Sequence, residues 1–440
     1  MFYSNLLRNV ILPIGDLIFG NYFSQNLKIV EKNFRQSEAL IIANRNIALM
    51  NHLKFVLQKS TYYKELNLSA FNDPLIGLKQ FPILTKDIIR NRLDNILTRN
   101  KESLICYCTS GSSGIQTNIY ISKKEQGLIR AIQATWWKWA GFEMGEPMFQ
   151  TGLATSRNFE KKLKDFFFRT NYQFAFGLTS QNTKDGLEWA KKKNPFLGGY
   201  ASSLYILSEL ADGKGISMKS AVSWGDKLFD HYRKNIERVF NCNVYETYGT
   251  GEGLMLGAQK DLDYLYVMDP YFIIELLDDD GFEVADGEIG HVVVTSLIHE
   301  AMPLIRYKVG DLAIKLPRNL YPENREFGLS LFQKIIGRET DIVITPKGKK
   351  LIVHSFTGIF EYFPQVRQFC VIQSDINGIT IIFIPGQGFN QQVLSSINEQ
   401  LLRLVNEKFE IKFKEVKHIP NTASGKPQII ISNIKGQQSF

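Results

Sequence analysis

Cysteine is scarce and unpatterned in this sequence: Cys106, Cys108, Cys242 and Cys370 form neither a C-x-x-C pair nor a Cys/His set with zinc spacing. A disulfide scaffold and a zinc module are thereby excluded, and a reduced, cytoplasmic setting is expected. Apolar runs of membrane-spanning length are missing too. Near the N-terminus, Val10-Ile11-Leu12-Pro13-Ile14-Gly15 is interrupted by Asp16, and no small-residue cleavage site follows. This argues against a transmembrane segment and a signal peptide. Packing of that run against the body is expected, with interfacial membrane contact as the alternative. No block of basic residues occurs either. The net charge is +8, and residues 338–440 hold 12 basic against 8 acidic residues, so half of the surplus sits in the last quarter of the chain. Without a basic arm, nucleic acid is excluded as the expected partner; anionic small molecules such as nucleotides suit this charge, as does an ordinary solvated surface.

What is present is the composition of a globular protein, 44% hydrophobic and 22% charged over 440 residues, too long for a single core. Apolar spacing of three and four residues, as in Leu27, Val30 and Phe34, predicts helices over residues 1–60. Thr85 is placed to cap a helix running to about residue 96. Strands are expected at 104–108 and 117–122. A helix over 123–140 follows and carries Trp136, Trp137 and Trp139, which cannot all share one face. From 145 to 250 short strands alternate with helices, and a strongly amphipathic helix is expected over 226–240. Residues 270–316 read as β. The tail has its own pattern, with strands at 342–344, 350–353, 369–373 and 378–384 and a helix at about 390–409. The fold class is therefore α/β, with a large multi-sheet domain over 1–337 and a small mobile α+β domain over 338–440.

Five loops carry residues suited to chemistry. Thr109-Ser110-Gly111-Ser112-Ser113-Gly114 has the small residues and hydroxyls of an anion nest, although a tight β-turn would read the same. It is no Walker A loop, since no Gly-Lys-[ST] closes it. Glu246-Thr247-Tyr248-Gly249-Thr250-Gly251-Glu252-Gly253 follows a strand and sets a carboxylate among glycines beside an aromatic ring, a combination suited to Mg²⁺ and a base. Arg306-Tyr307-Lys308-Val309-Gly310-Asp311 ends in an acid able to accept from ribose hydroxyls. Gly337-Arg338-Glu339-Thr340-Asp341 precedes the tail. Pro420-Asn421-Thr422-Ala423-Ser424-Gly425-Lys426 holds a lysine in a Ser/Gly loop near the chain end.

In this order, the five loops resemble those of the adenylate-forming superfamily. Phe81-Pro82-Ile83-Leu84-Thr85-Lys86 is similar to an N-terminal element of its phenylacetate–CoA ligase and capsular polysaccharide biosynthesis (CapK) branch. The resemblance runs from about residue 75 to 430. It implies an α/β adenylation domain with a C-terminal lid, and ATP-dependent activation of a carboxylic acid as its acyl-AMP. By position it implies a phosphate loop at Thr109, Ser110, Gly111, Ser112, Ser113 and Gly114, and adenine contacts at Gly225 and Asp226. Thr247, Tyr248 and Gly249 fall in the nucleotide loop, with Tyr248 stacked on the base. Glu252 takes the place of the Mg²⁺ ligand and a catalytic residue, Asp311 and Arg338 those of ribose contacts, and Lys426 that of the catalytic lysine. ATP and Mg²⁺ are the implied cofactors and CoA the implied acceptor. An amine or hydroxyl acceptor, transfer of AMP itself, and a fold-retaining scaffold stay open, as does an oligomer. Trp136, Trp137, Tyr200 and Trp224 lie in candidate pocket segments and point to an aromatic or short acid. Departures from the family pattern occur at Ile115, Gln116, Gly251, Thr340 and Asp226.

Overall fold

A hairpin of β1 (Ile105–Cys108) and β2 (Asn118–Ile121) leads into a helix, Lys123–Trp139, whose start is closed by a capping box between Ser122 and Glu125. Strands and helices then alternate: β3 (Met148–Gly152), β4 (Thr170–Phe174), β5 (Phe196–Tyr200), β6 (Ala221–Trp224) and β7 (Val244–Gly249). These five pair in parallel in the order β4-β3-β5-β6-β7. Beyond β7 the chain turns antiparallel through β8 (Met255–Ala258), β9 (Leu265–Val267), β10 (Phe272–Leu277), β11 (Ile289–Ser296), β12 (Tyr307–Lys315) and β13 (Leu331–Arg338). They continue the same 11-stranded sheet as β8-β9-β13-β12-β11-β10. The structure is a computed structural model and describes residues 2–20, 22–108, 117–152, 154, 157–175, 178–338, 342–360, 362–363, 365–419, 429–432 and 434.

The tail forms β14 (Ile342–Ile344), β15 (Lys350–Ile352), β16 (Val366–Asp375), β17 (Gly378–Pro385), β18 (Glu410–Glu415) and β19 (Ile430–Ser432). Four of these make a sheet in the order β18-β17-β16-β19, packed with helices Val353–Phe360 and Gln391–Val405. Its apolar core, around Phe356, Val371, Ile381, Ile397 and Leu401, is separate from that of the large sheet.

Several expected boundaries shift, each for a local reason. The amphipathic helix starts at Asp230 rather than Asp226. Asp226 is held by another helix, and Phe229 stays extended as the N-cap. The helix over 390–409 stops at Val405 because Asn406 turns left-handed at φ +56°. Helix Val353–Phe360 is an addition to the expected elements, since an apolar run that short has no decisive period. The three tryptophans of helix Lys123–Trp139 do point apart. Trp136 is buried, Trp137 stacks on Trp224, and Trp139 stacks on Phe327 beside a cavity of about 160 Å³.

One buried ion pair ties the N-terminal helical region to the sheet. Arg306, itself left-handed at φ +48°, directs Nε and Nη2 at the two oxygens of Glu275, both at 3.1 Å, and Nη1 at the carbonyl of Phe81 at 2.9 Å. Lys79 adds a bond to Glu275 at 2.7 Å. Leu84 then bridges Tyr307 in parallel: its N–H donates to the Arg306 carbonyl, and its own carbonyl accepts from Lys308. Residues 81–86 are thus laid along the start of β12. Thr85 caps helix Lys86–Ile96 as expected, accepting from the Ile88 N–H at 3.3 Å.

Removing one member of such a pair leaves the other charged and buried. Glu275→Ala is expected to destabilise the chain by about 3–5 kcal/mol in urea unfolding, whereas Arg306→Met with Glu275→Leu recovers most of that loss.

Candidate active site

β7 is the seam of the large sheet, pairing in parallel with β6 on one side and antiparallel with β8 on the other. Ligands collect at such changes of strand direction. The β7–β8 turn carries Glu252, which is 4% exposed. Its Oε1 accepts from the Tyr307 hydroxyl at 2.9 Å and lies 3.9 Å from Lys86 Nζ. The turn depends on Gly253, at φ +85°, where a Cβ would stand 3.1 Å from Ile129 and 3.3 Å from the Tyr107 ring. Tyr107 precedes the last residue of β1, so the hairpin that carries the Ser/Gly loop is rooted against the Glu252 turn.

A second carboxylate sits nearby. Asp311 on β12 accepts from the Tyr248 hydroxyl at 2.8 Å and pairs in register with Arg338 on β13. Burial raises its pKa above the ordinary carboxylate value; the Tyr248 hydrogen bond and the charges of Arg338 and Lys86 oppose that rise, and Glu252 adds to it. Tyr248 and Tyr307 are pushed well above the usual phenol value, by burial first and by the neighbouring carboxylates second. Both therefore stay protonated as donors. The structure thus gathers Glu252, Asp311, Tyr248 and Arg338 from sequence-distant loops. Lys86 joins them, a residue outside the set expected from sequence. Its signal was the Pro-Ile-Leu-Thr-Lys run, whose reach depends on the docking of Leu84 against Tyr307.

Behind the turn lies a histidine. His299 Nε2 is 3.1 Å from the Glu252 carbonyl, and Nδ1 is 2.7 Å from the Ser296 hydroxyl. A carbonyl can only accept, so Nε2 carries the hydrogen and Nδ1 accepts from Ser296. Burial lowers the pKa of His299, and the buried ring of His52 beside it is lowered to about 4 by burial and by His299.

Other expected positions are engaged in the fold. Both oxygens of Asp226 bond the start of helix Ala201–Ala211: Oδ1 accepts from the Ala201 N–H at 2.6 Å, and Oδ2 from the Ser202 N–H and hydroxyl. Asp226 caps that helix from a distance, since Tyr200 at the N-cap has no side-chain bond. Gly225, at φ +79°, lies where a Cβ would meet the Tyr200 ring. The Thr247 hydroxyl donates to the Ser223 carbonyl at 2.7 Å. Gly249 sits in the ladder against β8, with the Leu254 carbonyl 3.3 Å from the place of a Cβ. Tyr248 is buried edge-on to Phe332, so in this arrangement it offers no open stacking face. Thr109, Ser110, Gly111, Ser112, Ser113, Gly114 and Lys426 lie outside the described residues, as do Ile115, Gln116, Thr340 and Asp341.

The donor set fits a nucleotide with Mg²⁺. Lys86 and Arg338 supply positive charge, and Asp311 supplies an acceptor for a diol. The Thr250 hydroxyl, on the Glu252 turn, is buried with no partner among the described residues. Among those residues no group of three or more His, Cys, Asp or Glu gathers as a ligand cage.

Residues 343–433 match the family model of the CapK C-terminal domain. The chain is 25% identical to protein CapK of Staphylococcus aureus over 398 residues, 87% of each protein. It is 30% identical to the phenylacetate–coenzyme A ligase of Escherichia coli over 138 residues, 30% of each. The fold superposes on 2-hydroxyisobutyryl-CoA ligase, captured in the postadenylation state with an acyl-AMP, with a TM-score of 0.70 at 15% identity and 92% coverage of both chains. The chain is thus a homologue of CapK and of the phenylacetate–CoA ligases, with the two-part α/β fold of adenylate-forming CoA ligases. No helix among the described residues is long and apolar enough to cross a membrane.

The two buried histidines make a pH prediction. A ring held neutral contributes stability above its unfolded pKa, 6.5, and loses it as pH falls towards the folded value, about 4 for His52. Between these limits the unfolded chain binds the extra proton, and the loss from His52 approaches roughly 3 kcal/mol. Urea midpoints are expected to fall from pH 7 to pH 4.5, and less steeply in His52→Leu.

Proposed function

We propose that this homologue of CapK and the phenylacetate–CoA ligases is an ATP-dependent ligase that activates a carboxylic acid as its acyl-adenylate. The observation that carries the reading is the convergence of Glu252, Asp311, Arg338 and Lys86 at the sheet seam. Asp311 accepts from the ribose hydroxyls, with Arg338 beside it across the β12–β13 pair. Glu252, oriented by Tyr307 and by the His299 bond to its carbonyl, would hold Mg²⁺. When bound, Mg²⁺ offsets the repulsion between a carboxylate and an already anionic triphosphate. Lys86 adds a positive charge from the N-terminal side, and Lys426 adds one from the tail. A substrate carboxylate oxygen attacks the α-phosphorus, the bond to the bridging oxygen of the β-phosphate breaks, and pyrophosphate leaves with that electron pair. In-line positioning supplies much of the rest.

The proposal includes a division at 337/338, with Arg338 at the joint, and a tail that rotates to open a second face for the acceptor. CoA is the first acceptor to test. The likeness to CapK covers 87% of each protein, while that to the E. coli phenylacetate ligase covers only 138 residues, so an amine or hydroxyl acceptor is the second reading.

The test is acid-dependent ATP–pyrophosphate exchange over a panel of aromatic and short acids, followed by CoA and hydroxylamine as acceptors. Lys86→Ala and Lys426→Ala are each expected to lower exchange by about 10²–10³. Asp311→Asn is expected to weaken nucleotide binding roughly 10- to 100-fold. A hydroxylamine product without a CoA thioester selects the second reading. Failure to bind nucleotide, with no exchange for any acid, rejects the ligase and favours a scaffold that keeps the fold.

A further inference from the structure

Helix Phe159–Phe167, which crosses from β3 to β4 at one edge of the large sheet, turns an apolar stripe outward. Phe159, Leu163 and Phe166 lie at positions i, i+4 and i+7, on one stripe. A surface helix normally buries that stripe. Here Phe159 is 79% and Phe166 75% exposed, and Leu163 is exposed with them. The less exposed side carries Asp165 and Phe167, and Phe168 at the helix end packs against the main core. Asp165 is paired with Arg157, whose guanidinium lies 4.0 Å over the Tyr172 ring, and the Tyr172 hydroxyl is clamped by the backbone of Ala154. The orientation is therefore fixed by specific bonds and leaves the apolar stripe outward, with Phe166 edge-on to Phe167 of the same helix.

The N-terminal helical run presents a second stripe of the same kind. Val10, Ile14, Leu17 and Ile18 recur at helical spacing, with Leu17 88% and Ile18 68% exposed, while Leu7, earlier in the run, is buried. The two elements are joined where the Tyr3 hydroxyl donates to the Phe167 carbonyl at 2.7 Å and Arg169 lies over the Tyr3 ring. Charge around helix Phe159–Phe167 identifies what its stripe faces, while the Val10–Ile18 stripe adds apolar surface with Asp16 as its one charge. Residues 157–169 contain Arg157, Lys161, Lys162, Lys164 and Arg169 against Glu160 and Asp165, and the three lysines are exposed around the phenylalanines. Apolar rings framed by lysines on a short helix match the interfacial zone of an anionic bilayer, where the rings sink among acyl chains and the ammonium groups meet phosphates.

We propose that this face, formed by helix Phe159–Phe167 and the Val10–Ile18 stripe, docks the protein reversibly onto anionic membrane surfaces. The contact is interfacial, without a spanning segment. It lies at the β4 edge, so it needs none of the residues gathered around Glu252.

Flotation of the full chain with vesicles tests this, using phosphatidylcholine alone and phosphatidylcholine mixed with phosphatidylglycerol. The chain is expected to float with the mixed vesicles only, and less at high salt. Phe159→Ser with Phe166→Ser is expected to lower the partition about 10-fold or more, with circular dichroism and thermal midpoint unchanged. Ile18→Trp gives a readout that needs no loss of function: the emission of the introduced indole is expected to shift to the blue on adding anionic vesicles and to be quenched by brominated lipid. Absence of flotation with both vesicle types, or flotation and indole emission indifferent to these changes, overturns the proposal. So does a dimer in light scattering that Phe159→Ser with Phe166→Ser dissolves while vesicles bind neither form, since the stripe would then join two copies of the chain.

Discussion

A guanidinium cannot be left unanswered inside a protein, and the way Arg306 is answered organises the site. Glu275 on β10 takes two of its N–H groups, and the carbonyl of Phe81 takes a third. That last bond draws residues 81–86 onto β12, where Leu84 pairs with Tyr307. Three consequences meet within a few residues of chain. Lys86 is brought 3.9 Å from Glu252, Tyr307 is aimed at the same carboxylate, and β12 carries Asp311 onward to Arg338. The ion pair itself performs no chemistry; it fixes which segments are neighbours.

The second constraint is the seam at β7. Parallel strands must be joined by crossovers, whereas antiparallel strands can be joined by tight turns. β7 is the strand where one regime gives way to the other, and its turn to β8 is the first tight one after a series of helical crossovers. Glu252 sits in that turn, held by groups arriving from 55 residues downstream at Tyr307 and 47 downstream at His299. The carboxylate is thus secured from β12 and the backbone behind it from the loop that precedes β12.

How much of this could be read beforehand depends on the range of the interaction. Thr85 as a cap and the helix after Ser122 are set by residues within one turn, and the sequence states them openly. Glu252, Asp311 and Arg338 could be named from their motifs, and the structure brings them together. Asp226 looked like a ligand contact and is engaged as a helix cap, because its partners at 201 and 202 are 25 and 24 residues away and leave no local trace. Lys86 could be seen as part of a motif but not as a neighbour of Glu252. The outward stripe of helix Phe159–Phe167 escaped for the opposite reason: its amphipathic pattern is plain, but a pattern does not say which side faces inward.

The position of β13 bears on how the chain is made. In the sheet this strand lies between β9 and β12, although it is the last of the eleven to be synthesised. A nascent chain ending before residue 331 would have both neighbours present and the slot between them empty, with two rows of unpaired backbone groups facing each other across it. Such edges invite pairing with other chains. The parallel half, complete by residue 249, has no such gap and can form while the remainder is still on the ribosome. Synthesis of part of the tail is therefore needed for more than the tail's own fold: only after β13 has cleared the exit tunnel can the sheet that holds the acidic pair close.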